Sequence, residues 1–255
     1  MNAFLDRLRG DDPVLMLAVR SSRTSDVIRI AKSTGHHAVM IDLEHSTMTL
    51  DVAANLCSTA ADLGLFPFVR VAEREYGAIG PLLDGGAQGV IAPRVETAAE
   101  AADVARACRF APRGQRSQLA TVPQFGLRPT PAATLNPALD DATVVQILIE
   151  TPAGVTRADE IAAVPGVDLI AFGANDFTAE LGIGGQYADP RVTEAIGALA
   201  AAAERHGKLL MVGGIADPAL LRDLGALGVC PLHLTGTDTD MLYAGAAARA
   251  ERFLR

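Results

Sequence analysis

Eight short apolar runs alternate with segments of helical periodicity along the 255 residues, and this pattern predicts an α/β protein with the (β/α)8 TIM-barrel fold. Continuous apolar strands are typical of a parallel sheet that helices cover on its outer face. Because no linker interrupts the pattern, we expect residues 1–255 to form one domain. The runs are 14–19, 38–41, 66–71, 89–93, 144–150, 168–172, 209–214 and 231–236.

Helix-forming segments separate most of these runs, and several are followed by glycine, the expected helix C-cap. The predicted helices are 25–33, 50–63, 97–109, 156–163, 190–206 and 219–227. A doubly wound open sheet is the alternative fold. It would normally place a glycine-rich GxGxxG turn after the first strand, where this sequence has VRSSRTSD.

One long irregular stretch, residues 111–142, lies between the fourth and fifth units. Long loops in compact domains are often functional, so we expect a lid or wall at the active-site end. Its arginines are Arg113, Arg116 and Arg128, and we expect one of the three to contact substrate.

Composition excludes several classes of function. The net charge of −8 and the lack of a basic run argue against nucleic-acid binding. No apolar stretch reaches the length of roughly 18 residues that a membrane span needs. The N-terminal MNAFLDRLRGDD lacks an apolar signal core, and Cys57, Cys108 and Cys230 lie far apart. We therefore predict reduced core thiols and a cytoplasmic location.

Polar side chains stand where several predicted strands end. In a (β/α)8 barrel these carboxyl ends meet at one rim, and that rim carries the active site. The residues are Asp42, Glu44 and His45 after strand two, Arg70 on strand three, Glu150 on strand five, and Asn175 and Asp176 after strand six. Their convergence predicts an active site at this rim.

Each residue alone also has a purely structural interpretation. His45 could be a loop histidine, Arg70 could close a salt bridge, Glu150 could pair with an arginine, and Asp176 could cap the following helix. A barrel that only binds small carboxylates would keep Arg70 but would need neither His45 nor two metal-binding carboxylates. A phosphate-binding barrel is a further alternative, although no basic residue adjoins Gly213–Gly214.

The residue types at the rim indicate a metal-assisted reaction next to a carbonyl group. Glu150 and Asp176 form a two-ligand oxygen site suited to Mg²⁺ or Mn²⁺. Arg70 could stabilise an enolate or a carboxylate, and the His45 imidazole is the natural proton carrier near neutral pH. Schiff-base chemistry is disfavoured, because neither of the only two lysines, Lys32 and Lys208, follows a strand.

Six segments resemble the HpcH/HpaI aldolase family, the metal-dependent class II pyruvate aldolases of the citrate-lyase-like superfamily. They are IDLEH, FVRV, LLDGGAQGVIAPRVETAAEA, ILIET, GANDFTAELG and DTDMLY, in the family's order and spacing between about residues 14 and 245. The resemblance implies a barrel with a C-terminal helix exchanged between subunits, in a homo-oligomer that is a hexamer or trimer-like. It implies a 2-oxo acid and an aldehyde as substrates.

The resemblance also implies a role for each matching position. Glu150 and Asp176 would bind the divalent metal, Mg²⁺ or Mn²⁺ with Co²⁺ as a further option, on which the pyruvate enolate forms. Arg70 would stabilise that enolate. His45 would carry the proton, supported by Asp84 across a subunit contact, while Asp42 and Glu44 would orient His45 and an ordered water. Substrate would contact Arg70, Leu148, Gly173 and Asn175.

This chain departs from the family pattern on the side that would face the aldehyde. Leu148 stands where relatives often have glutamine, and SQLATVPQFGLRPTP replaces a glycine-rich basic run. These changes bear on the choice of substrate more than on the reaction class. The alternatives within the enzymes are an enolate-forming 2-oxo acid decarboxylase and a condensing enzyme resembling citrate synthase or citrate lyase.

Overall fold

The computed structural model describes residues 2–254, which contain eight parallel strands and twelve α-helices. The strands pair in the order β7-β6-β5-β4-β3-β2-β1-β8. A bridge between Leu210 and Val229 brings the two ends of the sheet together, so the barrel is nearly closed. The strands are β1 (Val14–Val19), β2 (Ala38–Asp42), β3 (Phe66–Arg70), β4 (Gly89–Ala92), β5 (Val144–Ile149), β6 (Leu169–Gly173), β7 (Leu209–Gly213) and β8 (Leu232–Thr237).

Helices follow the strands and cover the outer face of the barrel, and the predicted (β/α)8 fold is thereby confirmed. They are α1 (Ala3–Leu8), α2 (Asp26–Ser33), α3 (Leu50–Asp62), α4 (Ile79–Asp84), α5 (Ala98–Cys108), α6 (Ala132–Ala142), α7 (Pro152–Thr156), α8 (Ala158–Ala162), α9 (Ala174–Glu180), α10 (Pro190–Arg205), α11 (Pro218–Gly225) and α12 (Asp238–Leu254). The helix predicted over 156–163 is two short helices, separated at Arg157.

Alternation along the strands divides the apolar residues between two cores. Odd-numbered residues of β1, such as Leu17 and Val19, pack outward against the helices. Even-numbered ones, such as Met16 and Ala18, point into the barrel. All three cysteines are free and buried, as the sequence analysis predicts.

Helix α1 closes the N-terminal end of the barrel. Phe4 and Leu8 are buried in the interior core, and the Phe4 ring stacks on Phe66 with centroids 4.2 Å apart. The Asn2 side-chain oxygen caps the helix by accepting from the N–H of Phe4 at 3.0 Å. Its amide nitrogen donates to the carbonyl oxygen of Ala142 at 2.7 Å, which ties α1 to the chain just before β5.

The expectation of a lid formed by residues 111–142 at the active-site end is wrong for this chain. The segment links α5 to β5, so it lies at the N-terminal end of the strands, and it contains α6 rather than being wholly irregular. Gln124 Nε2 donates to the carbonyl oxygen of Leu83 at 3.0 Å, and Arg116 Nη2 lies 2.7 Å from Asp84 Oδ1. Both partners belong to the end of α4, just before β4.

Helix α12 leaves the barrel after its first turn. Asp238 is buried, and its carboxylate accepts hydrogen bonds from the backbone N–H groups of Arg20, Ser21 and Ser22. Beyond it, Leu242 is 73 % exposed and Phe253 is 88 % exposed. None of the helices within residues 2–254 is long and apolar enough to cross a membrane.

Candidate active site

The rim at the carboxyl ends of the strands surrounds a cavity of about 200 Å³. Charged and polar side chains line its mouth, and apolar side chains line the part inside the barrel. The mouth residues that the sequence analysis predicted are Asp42, His45, Arg70, Glu150, Asn175 and Asp176. The structure therefore brings these six together, and Gly173 and Leu148 line the same cavity.

Asp42 and Arg70 form a buried ion pair at the ends of adjacent strands. Their pairing follows from the register, since Asp42 is directly opposite Arg70 in the β2–β3 ladder. Arg70 Nε donates to Asp42 Oδ1 at 3.0 Å and Nη2 donates to Oδ2 at 2.6 Å, a bidentate contact. Burial acts to raise the pKa of Asp42, but the hydrogen bonds and charge of Arg70, together with the backbone N–H groups of His45 and Glu44, hold that pKa below its usual range.

Asp42 also organises the loop that carries Glu44 and His45. Its Oδ1 accepts from the backbone N–H groups of Glu44 at 3.0 Å and His45 at 3.2 Å. Asp42 therefore orients His45 through the backbone, and the imidazole faces Glu44, with 3.8 Å between Nε2 and Oε2. The same oxygen, Glu44 Oε2, also lies 3.1 Å from Arg70 Nη1. Burial raises the pKa of Glu44, although Arg70 opposes the shift.

Glu150 follows β5 and lies buried beside Gly173. A Cβ atom on Gly173 would come within 2.5 Å of Glu150 Oε2, so only glycine leaves room for this carboxylate. The backbone N–H of Arg94 donates to Glu150 Oε1 at 2.9 Å, an orientation set by the left-handed φ of +49° at Arg94. Burial and the nearby carboxylates of Asp176 and Glu44 raise the pKa of Glu150 to about 7.

The carboxylate oxygens around the cavity suit a hard divalent cation. Around the cavity, four carboxylates (Asp42, Glu44, Glu150 and Asp176) outnumber the two guanidinium groups of Arg20 and Arg70. Among residues 2–254, no group of three or more His, Cys, Asp or Glu side chains is arranged to hold a metal. A metal at Glu150 and Asp176 would therefore keep open positions for water and substrate oxygens, as Mg²⁺ and Mn²⁺ commonly do.

Asp84 and the three arginines of segment 111–142 lie away from this cavity. Asp84 pairs with Arg116 at the opposite end of the barrel, so it reaches no His45 within its own chain. Arg113 lies 3.5 Å from Asp141, and Arg128 donates to the carbonyl oxygen of Phe125. None of the three arginines lines the cavity of this chain, so a contact between one of them and substrate stays a prediction.

The residues of this site belong to a recognisable sequence family. The HpcH/HpaI aldolase/citrate lyase profile matches residues 16–228. The chain belongs to the HpcH/HpaI aldolase/citrate lyase family. Membership makes it a lyase of the aldolase type.

Individual relatives agree with this family. A 4-hydroxy-4-methyl-2-oxoglutarate aldolase of Hapsidospora irregularis is 38 % identical over 233 residues, which cover 90 % of this chain and 86 % of the relative. A crystal structure of an HpcH/HpaI aldolase from Desulfitobacterium hafniense superposes with a TM-score of 0.90 at 26 % identity, over 99 % of this chain and 96 % of that one. The citrate synthase SbnG superposes with a TM-score of 0.84 at 26 % identity, over 97 % and 96 %.

Three features of this HpcH/HpaI site were missed by the sequence analysis. Arg20 follows β1 and lies 3.5 Å from Asp42 Oδ2, and the strand-end rule applied to β1 would have found it. The Arg94 N–H that binds Glu150 depends on a backbone conformation that no residue pattern announces. Gln146 lines the cavity inside the barrel, and its buried Oε1 has no hydrogen-bond partner in the part of the chain that the structure describes.

Proposed function

We propose that this chain is a divalent-metal-dependent aldolase that cleaves or forms 2-oxo acids from pyruvate or hydroxypyruvate and an aldehyde through an enolate. One observation carries the proposal. A single cavity holds an anchored arginine, a histidine and two carboxylates free to bind a cation. This combination supports proton abstraction or carbon–carbon cleavage next to a carbonyl group.

Glu150 and Asp176 are the residues that would hold the metal, Mg²⁺ or Mn²⁺, with Co²⁺ as a further option. A bound divalent cation supplies Lewis-acid polarisation of a carbonyl oxygen. The chain's own contribution is to place Glu150 correctly, through the Arg94 N–H and the space left by Gly173. Asn175 borders the same space, and its Oδ1 accepts from the Tyr187 hydroxyl at 2.5 Å, which fixes its orientation.

Arg70 stabilises the negative charge that develops on the substrate oxygen. Its guanidinium is held by Asp42 on one side and Glu44 on the other, so it needs little reorganisation when charge develops. Because Arg70 is only 15 % exposed, its interaction with a substrate oxygen is weakly screened by water.

His45 moves the proton. In the cleavage direction it accepts the proton of the C4 hydroxyl as the C3–C4 bond breaks, which releases the aldehyde and leaves the enolate of pyruvate. A proton added at C3 then gives pyruvate. The imidazole is suited to this role because it is half exposed at the cavity mouth, where an aldehyde can enter.

A complete site requires a second copy of the chain. Asp84 lies at the N-terminal end of the barrel, where it pairs with Arg116, so it cannot reach His45 of its own chain. It would instead support the His45 of a neighbouring subunit. The exposed apolar side chains of α12 support an exchange of this helix between subunits, in a hexamer or a trimer-like assembly. The cytoplasmic location predicted from the cysteines stays a prediction.

The substrate class is supported by the relative named a 4-hydroxy-4-methyl-2-oxoglutarate aldolase. The likeness to the citrate synthase SbnG supports the second candidate, a condensing enzyme that uses the same enolate chemistry. A panel of aldehydes with pyruvate or hydroxypyruvate separates the two candidates. Condensation of acetyl-CoA with oxaloacetate, without turnover of any aldehyde, would favour the second.

Deuterium exchange tests the proposal directly. The chelator-stripped protein, with or without restored Mg²⁺ or Mn²⁺, is incubated with pyruvate in D2O, and the loss of the methyl signal is followed by NMR. We expect metal-dependent exchange that falls by about 100-fold or more in Arg70→Lys, which keeps the charge but loses the bidentate geometry. Arg113→Lys, at the opposite end of the barrel, is the matched control. No exchange with any metal would contradict the proposal.

A further inference from the structure

A second cavity, of about 340 Å³, lies at the N-terminal end of the barrel, away from the candidate active site. It is bordered by α1, by α2 and the turn after it, and by the turn that leads into β3. Its basic residues are Arg7, Lys32, His36 and His37, and no Asp or Glu of the described residues 2–254 lines it. This concentration of positive charge is unusual for a chain with a net charge of −8 and only two lysines.

Lys32 and Arg7 have no counter-ion among residues 2–254. The Lys32 ammonium lies 3.7 Å from the position that a Cβ atom would take on Gly64, so the side chain crosses to the far wall of the cavity. The nearby carboxylate of Asp6 pairs with Arg9 instead, at 3.3 Å. Because both cations line one cavity and like charges repel, an anion bound between them would be favoured.

His37 presents a hydrogen-bond donor to the same cavity. Its Nδ1 accepts from the backbone N–H of Leu15 at 3.1 Å, so the ring proton of the neutral imidazole is on Nε2. Burial, and then the charges of Arg7, His36 and Lys32, lower the pKa of His37. The His36 ring is already engaged by Thr34 and Thr235, at 3.0 Å and 2.9 Å.

We propose that this cavity is a binding site for a small oxyanion, a phosphate or a carboxylate. Lys32 and Arg7 supply the charge, and the Nε2–H of His37 supplies a directed hydrogen bond. The stacked rings of Phe4 and Phe66 form an apolar wall beside them, while Lys32 and Arg7 themselves are exposed to solvent. The site is independent of the proposed aldolase activity.

Histidine NMR tests the site with inorganic phosphate as the probe. The full-length protein, carrying imidazole-labelled histidine, is titrated with phosphate while chloride keeps the ionic strength constant. We expect the His37 resonance to shift saturably. The His45 resonance reports any phosphate that binds at the candidate active site. A parallel titration with acetate shows whether the site prefers phosphates or carboxylates.

Charge-matched variants provide the control. Lys32→Gln and Arg7→Gln should each weaken phosphate binding by about tenfold, the effect of losing one charge-assisted contact. Arg29→Gln removes the same charge from α2 at a position that does not line the cavity, so its affinity should equal that of the unsubstituted protein. The proposal is overturned if the His37 resonance does not move, or if Lys32→Gln binds phosphate as well as Arg29→Gln does.

Discussion

Gly173 matters because of the side chain that it lacks. In Gly173→Ala the new Cβ would lie 2.5 Å from Glu150 Oε2 and 2.6 Å from Glu150 Cβ, so the carboxylate must move. We expect the affinity for Mn²⁺ to fall by about tenfold or more, the usual effect of disturbing a ligand's surroundings. Isothermal titration calorimetry measures this loss.

Gly184→Ala is the control for that substitution, because no atom of the described residues lies within 4 Å of the added Cβ there. Its metal affinity should match that of the unsubstituted protein, and both variants should keep the circular dichroism spectrum of the barrel. Normal Mn²⁺ binding by Gly173→Ala would show that Glu150 is not a ligand.

Glu150 makes the stability of the metal-free protein depend on pH. Its pKa is about 7 in the folded state, against 4.5 for an ordinary glutamate, so the folded protein binds the proton more tightly. The free energy of unfolding therefore falls as pH rises from about 4.5 through 7, by roughly 3 kcal/mol. The Glu150→Gln variant has no carboxyl group at this position, so this contribution to the pH dependence is absent.

Urea denaturation of metal-free protein at pH 5 and pH 8 measures the effect. Glu150→Gln should lose less stability than the unsubstituted protein between these two values, and it should bind metal weakly at both. Equal pH dependence in the two proteins would contradict the raised pKa.

Much of the rim was predictable because it follows from a rule about strand ends. Asp42, Arg70, Glu150 and Asp176 each follow or end an apolar run, and in a parallel barrel such positions converge. What Asp42 contacts was not predictable, since its bidentate pairing depends on the β2–β3 register. The role of each of these residues in catalysis stays a prediction.

At the scale of elements, apolar runs located all eight strands to within one or two residues. The segment 111–142 was misplaced because its prolines and arginines were interpreted without its position in the βα alternation. A connection from a helix to a strand always returns to the N-terminal end of a parallel barrel. Helix α6 was missed because Pro137 lies inside it, and proline normally opposes a helix interior.

Helix α12 offers a prediction at this scale. Leu242 and Tyr243 are 73 % and 77 % exposed, which is costly for large apolar side chains unless another subunit covers them. The double variant Leu242→Glu, Tyr243→Glu should shift sedimentation velocity profiles towards the monomer. It should also lower the melting temperature of dilute samples, because assembly stabilises by mass action.

The control is Arg249→Glu, a charge change on an exposed residue of the same helix. It should leave the sedimentation profile unchanged. If the double variant sediments as the unsubstituted protein does, α12 is not part of an assembly interface.

At the scale of the molecule, the two ends of the barrel differ in charge. The rim at the carboxyl ends gathers carboxylates, whereas the cavity at the other end gathers cations that have no acidic partner within residues 2–254. The sequence analysis detected the first because the strand-end rule points there. It missed the second because Arg7 lies far along the chain from Lys32 and His37, and meets them only when α1 packs across the barrel.

The closure of the barrel by α1 has a kinetic consequence. Because Phe4 and Leu8 fill the N-terminal end, the catalytic cavity is entered from its rim alone in the part of the chain described here. In the proposed function the 2-oxo acid contacts the buried Glu150 and the 15 % exposed Arg70, while the aldehyde faces the half-exposed His45, nearer the solvent. In the cleavage direction the aldehyde should therefore leave first and the 2-oxo acid last. Steady-state cleavage should show pyruvate as a competitive product inhibitor and the aldehyde as a noncompetitive one. Competitive inhibition by both products would mean that they leave in random order.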